Sequence, residues 1–112
     1  MLRPNTTKLI FVQGCTQSAT IEGLQDDLTG NFLNTWTNIV MTLVDDNGNP
    51  VTGCIEVPMD YIATTNGNYR GIFGDQNFYP PVGDGYKLLI DGSQSGSVIH
   101  LEIWVEVKAR QL

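Results

Sequence analysis

Cysteine is scarce in this chain: two in 112 residues, Cys15 and Cys54. That is no disulfide framework. Histidine is scarcer still, with His100 alone, so the clustered Cys and His ligands of a zinc site are missing. Basic residues are few, with six Lys plus Arg against twelve Asp plus Glu and a net charge of −6. A nucleic-acid binder carries a basic footprint, and adsorption to an anionic membrane needs one too. Charge of either sign is sparse, at 16% of residues against a usual ~25%. Long apolar runs are absent near the start. The run Leu9-Ile10-Phe11-Val12 is shorter than the ~7–15 residues of a signal-peptide core or the ~20 of a spanning helix. The expectation is cytosolic synthesis with reduced thiols. Asn5-Thr6-Thr7 is then a glycosylation sequon by chance.

What the chain does have is turns and alternation. Twelve glycines and five prolines punctuate segments whose apolar residues recur every second position, the period of a half-buried strand. The clearest is 98–108, with Ile99, Leu101, Ile103, Val105 and Val107 on one face and His100, Glu102, Trp104, Glu106 and Lys108 on the other. Segment 37–44 is rich in β-branched residues, which suit a pleated surface. It runs into Asn47-Gly48, a strong hairpin signal because both residues tolerate positive φ. Segment 54–62 alternates next, with Pro58 placing it at an edge or bulge. Further strands are read over 68–74 and 86–91, with turns at Asn66-Gly67, Asp91-Gly92 and Ser95-Gly96. Segment 7–13 is apolar on both faces, 19–24 is a short strand, and 26–36 is a long loop with embedded Leu28, Phe32, Leu33 and Trp36.

About seven short strands and no convincing helix predict an all-β domain: a two-sheet antiparallel β-sandwich, Ig-like or jelly-roll-like. A closed barrel is the alternative. Residues 1–112 form a single domain with a short N-terminal arm. The predicted core is Leu9, Phe11, Ile21, Ile39, Met41, Leu43, Ile55, Val57, Tyr61, Tyr69, Phe73, Tyr86, Leu88, Ile90, Leu101, Ile103 and Val105.

Catalytic equipment is thin. His100 has no evident partner, and neither a nucleophile elbow nor a phosphate-cradling glycine loop occurs. Asp26-Asp27 and Asp45-Asp46 are loop neighbours whose ordinary role is solvation. Asp45, Asp46, Asn47 and Asn49 offer hard oxygens to calcium, with Glu56 eleven residues after Asp45. The glycine, however, stands two places too early for a calcium loop, and a plain hairpin turn explains the same residues. No cofactor and no metal is expected. The candidate contact residues are apolar or aromatic: Leu2, Ile10 and Val12 of the arm, Phe78 and Tyr79 of a loop, and His100 and Trp104 on the outward face of the last strand. Each ring could instead plug an end or cover a face of the sandwich. Ile10 and Val12 need a cover, which another subunit would supply.

The last seventy or so residues carry a string of short motifs: Leu43-Val44-Asp45-Asp46-Asn47-Gly48-Asn49-Pro50-Val51-Thr52-Gly53, Pro58-Met59-Asp60-Tyr61, Gly67-Asn68-Tyr69-Arg70-Gly71 and Gly85-Tyr86-Lys87-Leu88-Leu89-Ile90. Together they resemble the immunoglobulin-like domains of tailed-phage virion proteins. Gly85-Tyr86-Lys87-Leu88 resembles a tyrosine corner, in which a Tyr hydroxyl ties a sandwich corner to the backbone. The size is similar to that of the small capsid decoration, or cement, proteins of short-tailed phages. The resemblance implies a non-enzymatic protein of the virion surface, made in the host cytoplasm. It would bind the outside of the major capsid shell and bridge capsomers. Its partners would be the major capsid protein and copies of itself, with neither nucleic acid nor membrane. A tail or baseplate domain and a carbohydrate-binding module are the alternatives.

Overall fold

A computed structural model describes residues 9–25, 29–74, 80–94 and 97–109. Leu2, Phe78 and Tyr79, together with Asp26 and Asp27, lie outside the described residues. The chain is all-β. Seven strands are present among the described residues: β1 (Leu9–Val12), β2 (Gln17–Ile21), β3 (Ile39–Val44), β4 (Val57–Tyr61), β5 (Tyr69–Phe73), β6 (Gly83–Gln94) and β7 (Ser97–Lys108). No helix occurs among the described residues, so none there could cross a membrane.

The expected all-β chain of about seven strands is present, though not as two clearly separate antiparallel sheets. All seven strands join one hydrogen-bonded sheet in the order β1-β7-β6-β3-β4-β5-β2. The sheet is mixed, because β1 runs parallel to β7 from Leu9 opposite Val105 to Val12 opposite Lys108. Its continuity depends on β4. Val57 and Pro58 pair with β3, whereas Met59, Asp60 and Tyr61 pair with β5. The hand-over falls at Pro58, which has no N–H to offer a ladder. Pro58 therefore marks a corner in an inner strand, not an edge.

The sheet curls until its two ends meet and is nearly barrel-shaped. Phe11 of β1 packs edge-on against Phe73 of β5, with ring centroids 6.0 Å apart. At this seam Gln17, the first residue of β2, donates from Nε2 to the carbonyls of Val12 at 3.1 Å and Cys15 at 2.9 Å. Side chains thus close the curl between β1 and β2, where those strands form no ladder. Inside lie Met41, Leu43, Leu88, Ile90, Tyr69, Val105 and Val107, all fully buried. Each such side chain contributes about 1.5–3 kcal/mol relative to exposure. β5 comes close to β3 because Gly71 has no side chain. A Cβ there would stand 2.6 Å from Met41 Cε and 3.0 Å from Met59 Cγ.

Ile55 is the clear correction to the predicted core: it is 53% exposed. The turn at Asn47-Gly48 forms as expected, closed by the Gly48 amide on the Asp45 carbonyl at 3.0 Å. Two further left-handed residues follow, Gly53 at φ 84° and Glu56 at φ 49°. They break the two-residue alternation, so Cys54 turns inward and Ile55 outward, and regular alternation resumes at Val57. Cys54 and Cys15 are free thiols, and burial pushes the Cys54 thiol up to about 11.

Residues 22–25 and 29–38 are docked on the sheet at Leu24 and Trp36, both buried. Leu24 is fully buried, and its amide donates to the Gly67 carbonyl at 2.9 Å. Asn68 Oδ1 accepts from the Gly23 amide and Asn34 Oδ1 from the Gly67 amide. Gly67 sits at φ +74°, where a Cβ would lie 2.5 Å from both the Leu24 nitrogen and its oxygen. Tyr69 accepts from the Trp36 amide at 3.2 Å and donates to the Leu33 carbonyl at 2.5 Å. Tyr61 does the same service for the neighbouring turn, donating to the Thr65 carbonyl.

Candidate interaction surface

The outward face of β3, β6, β7 and β1 is where the sequence-derived contact residues gather. Cross-strand register sets the rows. Trp104 stands opposite Lys87, Glu102 opposite Leu89 and His100 opposite Asp91. Leu89 and Asp91 in turn oppose Thr42 and Val40 of β3. On the other side of β7, Ile10 is beside Glu106 and Val12 beside Lys108. Strict alternation along β7 puts His100, Glu102, Trp104 and Glu106 on one side. Ile10, Val12, His100 and Trp104 therefore share a single face.

The apolar members of this face are open to solvent: Trp104 at 55%, Ile10 at 53% and Val98 at 75%. Ile55 sits close by, since the Glu56 amide donates to Thr42 Oγ1 on the same face at 2.9 Å. Four charged members pair among themselves. Lys87 Nζ lies 3.3 Å from Glu102 Oε1 and 4.8 Å from the centre of the Trp104 ring. His100 Nδ1 meets Asp91 Oδ1, and its Nε2 lies 3.0 Å from Glu102 Oε2. The hydrogen bonds to Asp91 and then Glu102 raise the imidazole above its ordinary 6.5. Bonds from His100 and Lys87 lower the Glu102 carboxyl below 4.5.

A shallow depression borders the face, with Asp45, Asp46, Gly85, Lys87, Glu102 and Trp104 in its walls. A second opens around Asp46, Thr52, Pro81, Asp84 and Tyr86. Asp45 Oδ1 accepts the amides of Asn47 and Asn49, each at 2.9 Å, which is the work of a turn-former. Among the described residues no group of three or more His, Cys, Asp or Glu side chains could hold a metal ion. Tyr86 ties the corner before β6, its hydroxyl donating to the Pro81 carbonyl five residues upstream at 2.5 Å.

Sequence reasoning placed Glu102 on this face but missed Lys87 and Asp91 as members of it, and the pairing of all three with its neighbours. Their outward placement follows from alternation, but their partners follow only from the β6–β7 register. That register was obscured by Asp91-Gly92, which resembles a turn and instead lies inside β6, opposite His100 and Ile99. No protein-family model matches the chain, and neither a curated protein nor a solved structure is found to match it.

Proposed function

We propose that the chain is a non-enzymatic virion structural protein, a capsid decoration protein of a tailed phage. It docks on the outside of the major capsid shell and on copies of itself, and so bridges capsomers. The observation that carries this reading is the outward face of β7 and its neighbours. It presents Trp104, Ile10 and Val98, while Lys87, Asp91, His100 and Glu102 pair with one another within the face. Exposed aromatic anchors among internally compensated charges suit docking, because little unpaired charge has to be desolvated. His100 supports a structural role, since both ring nitrogens are already held by carboxylates.

The immunoglobulin-like form of the fold belongs to the same proposal. The blocks β2-β5-β4 and β3-β6-β7 have the strand composition of the two sheets of such a sandwich, with β4 as the shared corner. The Tyr86 tether matches a tyrosine corner in kind. A carbohydrate-binding module is the second reading, favoured by the exposure of Trp104 beside Asp46 and Glu102.

Co-sedimentation with purified phage capsids tests the proposal. Saturable binding is expected, and Trp104→Ala should weaken it by ~30-fold, the effect of losing an anchor worth about 2 kcal/mol. A chain that stays monomeric and ignores capsids overturns the reading. Quenching of Trp104 fluorescence by soluble oligosaccharides would favour the second.

A further inference from the structure

His100 of β7 lies directly across from Asp91 of β6 and two residues before Glu102 on its own strand. Each ring nitrogen is within reach of a carboxylate oxygen. A neutral imidazole has one donor and one acceptor nitrogen, whereas an ionised carboxylate only accepts. Two ionised carboxylates on two ring nitrogens are therefore both satisfied only by the imidazolium. Glu102 has a second partner in Lys87, and the Lys87 ammonium in turn stands over the Trp104 ring. Among the described residues, the charged groups facing the ring are Asp91 from β6 and Glu102 from β7. Lys87 of β6 is behind Glu102. On the far side of β7, β1 is paired only with Val105 to Lys108 and does not reach the level of His100.

We propose that His100, Asp91 and Glu102 form a proton-operated clasp that sets the charge of the outer face. With the proton on, the ring ties both carboxylates, and with Lys87 the four side chains carry no net charge. With the proton off, one carboxylate loses its donor and the face gains one negative charge beside Trp104. When Nε2 is the nitrogen that gives up its hydrogen, the released Glu102 leans wholly on Lys87, which shifts the ammonium over the indole. The local environment of Trp104 thus reports the protonation of His100, four residues away along β7. The clasp itself follows from the local geometry. Its use in gating attachment rests on the docking reading above.

Two titrations of the full chain test it. The His100 ring resonances should titrate with a midpoint above 6.5, and the midpoint should fall toward 6.5 in Asp91→Asn and again in Glu102→Gln. Trp104 fluorescence should change with the same midpoint and go flat in His100→Gln. Trp104→Phe, which keeps buried Trp36, should remove the signal altogether. A ring that titrates at 6.5 in all three backgrounds overturns the clasp, as does Trp104 emission that is indifferent to the His100 midpoint. Capsid affinity measured on either side of the midpoint should differ in the wild type and be equal in His100→Gln. An affinity that ignores the midpoint overturns the gating. Failure to bind capsids at any pH overturns the docking reading alone, because the two titrations still decide the clasp.

Discussion

Two regions of the molecule use polar side chains in opposite ways. Where residues 22–25 and 29–38 dock, and at the turn beside them, Asn34, Asn68, Tyr61 and Tyr69 bond to backbone groups. Those partners are neutral and, at Tyr69 and Trp36, buried. On the outer face of β6 and β7, Lys87, Asp91, His100 and Glu102 bond to one another, and each is half in water. A buried donor or acceptor left without its partner costs about 1–3 kcal/mol, while an exposed ion pair contributes about 0–1 kcal/mol. The docked loop is therefore held in one geometry by its polar contacts. The outer face owes its shape to the apolar packing beneath it, and its ion pairs add little to stability.

Substitutions can break that contrast. The largest effect is expected at Gly67→Ala, where the new methyl meets Leu24 backbone and the φ is left-handed. A loss of about 3 kcal/mol in denaturant unfolding is expected. Tyr69→Phe should cost about 1–3 kcal/mol, because the Trp36 amide and Leu33 carbonyl lose their shared hydroxyl. Trp104→Ala should alter stability by no more than about 0.5 kcal/mol. If it destabilises the fold as Tyr69→Phe does, the two regions are not distinct. The smallest effect is the dependence on pH. The His100 value is raised from 6.5, so its contribution is whole below 6.5 and fades as pH climbs through the folded value. The Glu102 value is lowered from 4.5, so its contribution is whole above 4.5 and fades as pH falls through the folded value. The stability difference between wild type and His100→Gln should therefore peak between pH 4.5 and 6.5.

Local signals in the sequence were read well. The alternation over 98–108 becomes β7, and it put Trp104 and His100 outward correctly. Asn47-Gly48 makes its turn with Gly48 alone at positive φ, 81°, a conformation that glycine adopts without strain. What escaped was set by distant chain. Pro58 reads as an edge residue until two different neighbours claim the two halves of β4. Ile55 reads as core because alternation was extended through Gly53 and Glu56, whose left-handed backbone reverses the facing. Asp91-Gly92 reads as a turn, yet Gly92 is packed between Ile39 and Ile99, 3.1 Å from where its Cβ would be. The clasp partner Asp91 is nine residues from His100 along the chain, and only the register of the β6–β7 ladder joins them.

The parallel pairing of β1 with β7 has a mechanical consequence. Leu9, where β1 begins, and Lys108, where β7 ends, are at opposite ends of the same short ladder. Tension applied between those two points runs along the strands and slides one past the other. Every rung then resists together, instead of yielding one after another as in a peeled hairpin. For a domain that bears load, that is the stiff way to be pulled.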